Sequence, residues 1–216
     1  MKSFKAVIFD MDGVLIDSEP LWQQAQIETM AKLGITITVE QCIAKTMGKR
    51  IDAIASIWCR EFSINADVKQ LENAILDRLC QLIQSQGDML PGVTEILQFL
   101  SQNELKIGLA TSSSIRVVDT VLNKLKIKSY FSEVRSADLE PYGKPHPSVY
   151  LSTAQQLGVS PADCLVIEDS LTGLIAAKAA SMTTYIVNHN FCADKFSFSD
   201  NQFDDLHQVL AFLTQS

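Results

Sequence analysis

Two aspartates spaced i, i+2, Asp10 and Asp12, follow the apolar run Val7-Ile8-Phe9 and lead into Gly13. On an extended chain, side chains two apart project to one side, so both carboxylates are expected to face the same space. Two like charges that close repel, and one pKa rises, unless a cation or a shared proton relieves them. Gly13 permits a sharp turn and a close backbone approach. An isolated D-x-D more often caps a helix or solvates a strand end. Here three further groups shift the balance. Leu165-Val166-Ile167 ends in Glu168 and Asp169, Leu109-Ala110 runs into Thr111-Ser112-Ser113, and Gly143-Lys144-Pro145 supplies one cation within a turn.

Hard oxygen ligands from two strands, with no His or Cys among them, suit Mg²⁺, which keeps several waters and bridges to phosphate oxygens. With the cation in place, Asp10 suits nucleophilic attack on phosphorus, which splits one difficult displacement into two easier ones through an aspartyl-phosphate. Asp12 then suits proton transfer, to the leaving alkoxide in the first step and from the attacking water in the second. Thr111, the Ser112 amide and Lys144 would hold the transferring phosphoryl oxygens.

The elements that must position these groups follow from periodicity. Short apolar runs of strand character fall at 6–9, 107–110, 165–167 and 184–187, most followed by a turn and then by helical spacing. That alternation predicts an α/β fold, a Rossmann-like doubly wound parallel sheet with helices on both faces. Helices are expected after Pro91-Gly92, with Pro91 in the first turn, and near 113–125, 147–157, 171–180 and 203–213. The Ala-rich stretch 176–180 would let its helix approach the sheet closely. Residues 19–87 break the alternation, with helical sets such as Val68, Leu71, Ile75, Leu79, Leu82 and Ile51, Ile54, Trp58. The expected division is an α/β core of residues 1–16 and 88–216 and an all-helical cap of residues 17–87, hung on two close linkers and able to act as a lid. The stretch from Phe191 to Asp200 has no clear period and reads as loop.

Composition limits the partners. The chain has 216 residues, 47% apolar, with 25 Asp plus Glu against 18 Lys plus Arg, a net charge of −7 and a pI near 4.9. A nucleic-acid binder that works by phosphate neutralisation carries the opposite balance, and an anionic membrane would repel this chain. A small partner is expected, an anionic one included, because one Lys and a few amides can hold a phosphate inside an acidic protein. Cys42, Cys59, Cys80, Cys164 and Cys192 form no C-x-x-C pair and read as reduced core thiols. No signal peptide or membrane-length apolar run is seen, so a soluble, cytoplasmic monomer is the expectation.

The motifs D-M-D-G-V-L-I-D-S-E at 10–19, L-A-T-S-S at 109–113, G-K-P-H-P at 143–147 and I-E-D-S-x-x-G at 167–173 together resemble the haloacid dehalogenase superfamily of phosphohydrolases, over nearly the whole chain. The helical insert looks like the small cap of the beta-phosphoglucomutase-like branch. Asp17-Ser18-Glu19-Pro20-Leu21-Trp22 looks like its bacterial phosphatases of 2-deoxyglucose 6-phosphate and hexitol phosphates. The resemblance implies Asp10 as nucleophile and Asp12 as acid/base with its backbone carbonyl on Mg²⁺. It puts Thr111, Ser112 and Lys144 on phosphate and Asp169 on the metal with Asp10, with Glu168 standing behind the ligands. It also implies a small phosphorylated sugar or polyol as substrate.

Two departures separate phosphatase from mutase. The mutases resembled carry a His where this chain has Trp22, and an Arg three residues after a cap Gly where this chain has Lys49, Arg50 and Ile51 after Gly48. Loss of that His removes the family's device for restraining the acid/base group and favours attack by water. Arg50 and Trp22 remain candidate substrate contacts, and Met47 a candidate lining residue. A phosphonate hydrolase of this type would need a cap lysine, for which Lys32, Lys45, Lys49 and Lys69 qualify only by residue type. A non-enzymatic phospho-acceptor also clusters acids and a Lys around Mg²⁺, but it needs neither a second acid for turnover nor a helical lid. His146 is expected to orient its turn; His189 and His207 are lone residues.

Overall fold

The apolar run before Asp10 becomes β1 (Ala6–Phe9), the strand around which the sheet is arranged in this computed structural model, which describes residues 4–65, 67–188 and 193–215. His189 and Cys192 lie outside the described residues. β1 pairs in parallel with β2 (Lys106–Thr111) on one side and β4 (Cys164–Glu168) on the other, with Phe9 opposite both Leu109 and Ile167. β3 (Glu133–Ser136) extends the β2 side, and β5 (Thr183–Val187) and β6 (Asn201–Phe203) extend the β4 side. The order β3-β2-β1-β4-β5-β6 is all parallel. It reverses direction of travel between β1 and β4, and a crevice opens at the carboxyl ends of strands at such a point.

β1 is apolar throughout because both faces are covered. Val7 and Phe9 join one core layer, Ala6 and Ile8 the other. Behind the first lie α5 (Val93–Gln102), α6 (Ile115–Leu125) and α9 (Leu206–Thr214), which bury Ile96, Val118 and Val209. Against the second lie α7 (Ser148–Leu157) and the Ala-rich α8 (Leu171–Ala179), whose Ala176 and Ala177 are fully buried. Burial of each large aliphatic or aromatic side chain contributes about 1.5–3 kcal/mol.

Between β1 and α5 the described residues form helices and no strand: α1 (Glu19–Lys32), α2 (Val39–Lys45), α3 (Ile51–Glu61) and α4 (Val68–Gln86). A reciprocal capping box of Thr38 and Gln41 opens α2. Trp58 of α3 is fully buried and its indole N–H donates to Gln26 Oε1 of α1 at 2.9 Å, which ties the two helices together. The two connections to the sheet run side by side: Ile16 and Met89 form an antiparallel bridge, and the Leu90 N–H donates to the Leu15 carbonyl at 3.0 Å. On the far side, Arg116 of α6 pairs with Asp77 of α4, and Lys124 Nζ donates to the Gln84 carbonyl at 2.9 Å.

Several expectations needed correction. No strand is expected from sequence at β3 or β6, because short edge strands of sequence EVRS and NQF bury little and leave no alternation to detect; the helix expected near 203–213 begins at Leu206, and Phe203 closes β6 instead. Residues 193–196 of the stretch read as loop form a 3₁₀ turn. Pro91 does not sit in the first turn of α5; Gly92 is the N-cap, at φ +85°, and a Cβ there would stand 2.7 Å from the His207 backbone nitrogen.

Candidate active site

The carboxyl ends of β1, β2 and β4 bring Asp10, Thr111 and Glu168 to one edge of the sheet. Lys144 reaches in from the turn before α7. Its Nζ donates to Asp10 Oδ1 at 2.7 Å, to Glu168 Oε1 at 2.6 Å and to the Ala110 carbonyl at 3.1 Å, with its side chain only 4% exposed. The turn is held locally, since the His146 N–H donates to the Gly143 carbonyl and His146 Nδ1 meets the Ser148 amide and hydroxyl. His146 therefore orients its own loop.

Oxygens of Asp10, Glu168 and Asp169 lie within 4.8 Å of one another. Gly13 makes room for this: at φ +75°, a Cβ on it would fall 2.2 Å from Asp169 Oδ2. Glu168 is fully buried and accepts five hydrogen bonds. Lys144 and the buried Tyr150 hydroxyl, at 2.7 Å, reach Oε1; the Asp169 and Ser170 amides and the Ser170 hydroxyl reach Oε2, each at 2.9 Å. Both Glu168 oxygens are thus committed to protein donors.

Asp12 lines the same cleft as Asp10, as the spacing leads one to expect, and its field reaches Asp10, but its oxygens are bonded to other partners. Oδ2 accepts from Ser113 Oγ at 2.6 Å and Thr111 Oγ1 at 3.4 Å; Oδ1 accepts from Ser18 Oγ and from the Trp22 indole N–H at 3.4 Å. The strand ends at Phe9, and Gly13 bends the chain back until its N–H donates to the Ile16 carbonyl at 2.9 Å. The third carboxylate beside Asp10 and Asp169 is Glu168.

Burial pushes the Asp10 carboxyl up to about 7; the fields of Glu168 and Asp12 add to this, and Lys144 opposes it. Burial, then Glu168 and Asp10, hold Asp169 well above the usual carboxylate range. Burial would raise Glu168 too, but the Lys144 charge and its hydrogen bonds bring it below its ordinary value. Lys144 is desolvated, yet Asp10 and Glu168 together lift it above the ordinary lysine range. One ammonium among three carboxylates leaves two of them short of positive charge. A hard divalent cation fits that deficit, and with Glu168 committed to protein donors, the side chains left to ligate it are Asp10 and Asp169.

The cluster forms the floor of a cleft of about 460 Å³. Asp12, Thr111, Ser112, Ser113, Lys144, Asp169 and Lys195 line it from the sheet side, and Glu19, Trp22, Gln26, Thr46, Met47 and Lys49 from the helices. Arg50 is not on this wall; a Cβ on Gly143 would meet its Cδ at 2.8 Å, so its stem packs against the loop that carries Lys144. Of the four lysines between β1 and α5, Lys45 pairs with Glu61 and Lys69 with Glu72, and only Lys49 lines the cleft. Ser18, Ser113, Tyr150 and Glu19 were not singled out from sequence. Ser18, Glu19 and Ser113 stood inside quoted motifs, whereas Tyr150 read as an ordinary apolar position of α7.

A parallel α/β sheet that gathers carboxylates and a buried lysine at its carboxyl edge, under a helical wall, is the arrangement in which the comparisons with known proteins find a hydrolase. The chain belongs to the haloacid dehalogenase-like hydrolase family, whose model matches residues 4–181. It is 39% identical over 183 residues to hexitol phosphatase B of Escherichia coli, covering 84% of this chain and 82% of that protein. It is 32% identical over 178 residues to the phosphorylated carbohydrates phosphatase of Thermotoga maritima, covering 82% of each. The crystal structure of beta-phosphoglucomutase from Clostridium difficile superposes with a TM-score of 0.82 at 26% identity, covering 98% of this chain and 96% of that one. Among the described residues no helix is long and apolar enough to cross a membrane.

Proposed function

We propose that the chain is a Mg²⁺-dependent phosphatase of small sugar or polyol phosphates, with hexose and hexitol 6-phosphates such as 2-deoxyglucose 6-phosphate as its substrate class. The observation that carries this reading is the buried Asp10–Lys144 pair, 2.7 Å apart on the floor of a cleft walled by helices. In this reading residues 1–16 and 88–216 form the catalytic core and residues 17–87 a cap, and the paired connections at Ile16 and Met89 serve as its hinge.

Asp10 attacks phosphorus, forming an Asp10–phosphorus bond as the ester P–O bond breaks; Asp12 gives its proton to the departing alkoxide. Water then attacks the aspartyl-phosphate, losing its proton to Asp12, and the Asp10 carboxylate leaves. Thr111, Ser112 and Lys144 hold the phosphoryl oxygens, and Lys144 also keeps Asp10 in place. Asp10, Asp169 and the Asp12 carbonyl would hold Mg²⁺, which when bound would supply positive charge beside the phosphoryl group. Glu168 orients Lys144. Release of inorganic phosphate from a panel of sugar phosphates, with and without EDTA, tests the reading; turnover indifferent to EDTA, or absent across the panel, rejects it.

The likeness to a beta-phosphoglucomutase structure favours one alternative, a phosphosugar mutase. Glucose 1-phosphate supplied with trace bisphosphate separates the two: a phosphatase releases phosphate, and a mutase returns isomerised sugar phosphate. Trp22 in place of the mutase His supports the phosphatase.

A further inference from the structure

The proposed function leaves open which group on the helical wall reads the part of the substrate that departs. Besides Ser18, whose hydroxyl is bonded to Asp12, four polar side chains of that wall line the cleft among the described residues: Glu19, Gln26, Thr46 and Lys49. Two are already occupied. Gln26 donates to the Trp22 carbonyl at 3.1 Å and accepts from Trp58 at 2.9 Å, and the Thr46 hydroxyl donates to the Cys42 carbonyl at 2.8 Å. Neither can turn to a ligand without breaking a buried bond, which costs about 1–3 kcal/mol. Glu19 differs. One of its oxygens accepts from Gln23 at 3.2 Å, and no hydrogen bond is seen to the other among the described residues. It stands in the first turn of α1, one residue after Ser18, whose hydroxyl reaches Asp12, and so at the side of the cleft where the leaving oxygen emerges.

We propose that Glu19 is a specificity-determining residue: its carboxylate accepts hydrogen bonds from hydroxyls of the leaving group and repels leaving groups that carry a second anion at that place. This inference rests on the phosphatase reading above. A carboxylate acceptor suits a polyol, whose vicinal hydroxyls can both donate to it, and such charge-assisted bonds are among the stronger ones. A second phosphate or a carboxylate there would face Glu19 at short range with Asp12 behind it, and like charges brought together out of water are costly. Lys49, exposed across the wall, complements Glu19 as a donor to oxygens farther along the chain.

The test compares wild type with Glu19→Gln, which keeps the shape and one acceptor, and with Glu19→Ala. The readout is the ratio of kcat/KM for hexitol 6-phosphate to that for p-nitrophenyl phosphate, an aryl ester without hydroxyls. Both substrates carry the same phosphate dianion, so any general relief of negative potential cancels in the ratio. The expected result is a fall of roughly tenfold or more in the ratio, mainly through KM for the hexitol ester, together with improved turnover of a hexose bisphosphate. An unchanged ratio with both esters hydrolysed overturns the inference and leaves the phosphatase reading standing. Wild type that hydrolyses neither ester takes both down. Glu19→Ala with an unchanged ratio likewise overturns it, and thermal denaturation of each variant checks that the fold is intact.

Discussion

The sheet edge and the helical wall face each other across one cleft, and they are built on opposite principles. At the edge one carboxylate and one ammonium are saturated among the described residues: Glu168 accepts five hydrogen bonds, and Lys144 donates three. On the wall, Met47 is 49% exposed, Lys49 is exposed, and one Glu19 oxygen carries the hydrogen bond from Gln23. A saturated network holds geometry fixed, which chemistry on phosphorus demands of any substrate. A sparsely bonded wall can be altered without disturbing that geometry. The contrast implies that substitutions at the edge depress turnover of every ester, whereas substitutions on the wall reorder substrates.

The largest effect should come from the edge. Asp10→Asn removes the attacking oxygen's charge while keeping its volume. Phosphate release is expected to fall by roughly 10⁴-fold or more, equally for a hexitol 6-phosphate and for p-nitrophenyl phosphate. A loss confined to one of them would place Asp10 among the groups that sort substrates and erase the division.

The second prediction concerns stability. Asp10, pushed up to about 7, and Asp169, raised in the same direction, keep protons in the folded state at pH values where the unfolded chain has lost them. Their raised values favour the folded state only while both states are protonated alike, below the ordinary carboxylate pKa near 4. As pH climbs from about 4 to about 7 the unfolded state ionises first and gains relative to the folded one, at a cost to stability of up to about 4 kcal/mol from Asp10. Glu168, lowered, acts below this window, and Lys144, raised, acts above it. In EDTA, Tm should therefore drop on the order of 10 °C across pH 4–7, and Mg²⁺ at neutral pH should recover most of it. A flat Tm in EDTA would mean that the three carboxylates do not strain one another.

The two regions also differed in how far they could be read from residue order. Asp10, Glu168 and Thr111 are strand ends, and a buried strand such as VIF or LVI announces both its place in the sheet and the edge at which its next residue emerges. Lys144 was legible because a lysine between Gly and Pro in a turn has few other reasons to stand there. Asp12 shares the cleft with Asp10 as its spacing suggests, but its partners Ser113 and Ser18 were not legible, because past Phe9 the chain is a loop bent by Gly13. Tyr150 was invisible because a phenol spaced like a core residue gives no sign that its hydroxyl meets a carboxylate 18 positions away. On the wall, helical periodicity separated buried from exposed faces, yet the cleft is lined by the border between them. Arg50 and Lys49 are adjacent, and only the fold decides that the first packs on Gly143 while the second faces the cleft.

Trp22 belongs to both regions, and the smallest predicted effect is the one that assigns it. Its ring lies on the cleft wall, while its indole N–H reaches Asp12 at 3.4 Å, longer than the usual N–H···O distance of about 2.9–3.0 Å. Asp12 keeps a shorter bond from Ser113 at 2.6 Å and another from Ser18. Trp22→Phe removes the donor and retains an aromatic ring. If the N–H serves Asp12, kcat should fall by about two- to fivefold for both the hexitol and the aryl ester, with KM little changed, because a weak bond to an otherwise well-held carboxylate contributes under about 1 kcal/mol. If the ring instead packs against the sugar, KM should rise for the hexitol ester alone and kcat on the aryl ester should stand. The first outcome extends the fixed network of the sheet edge onto α1. The second places Trp22 with the residues that discriminate among leaving groups.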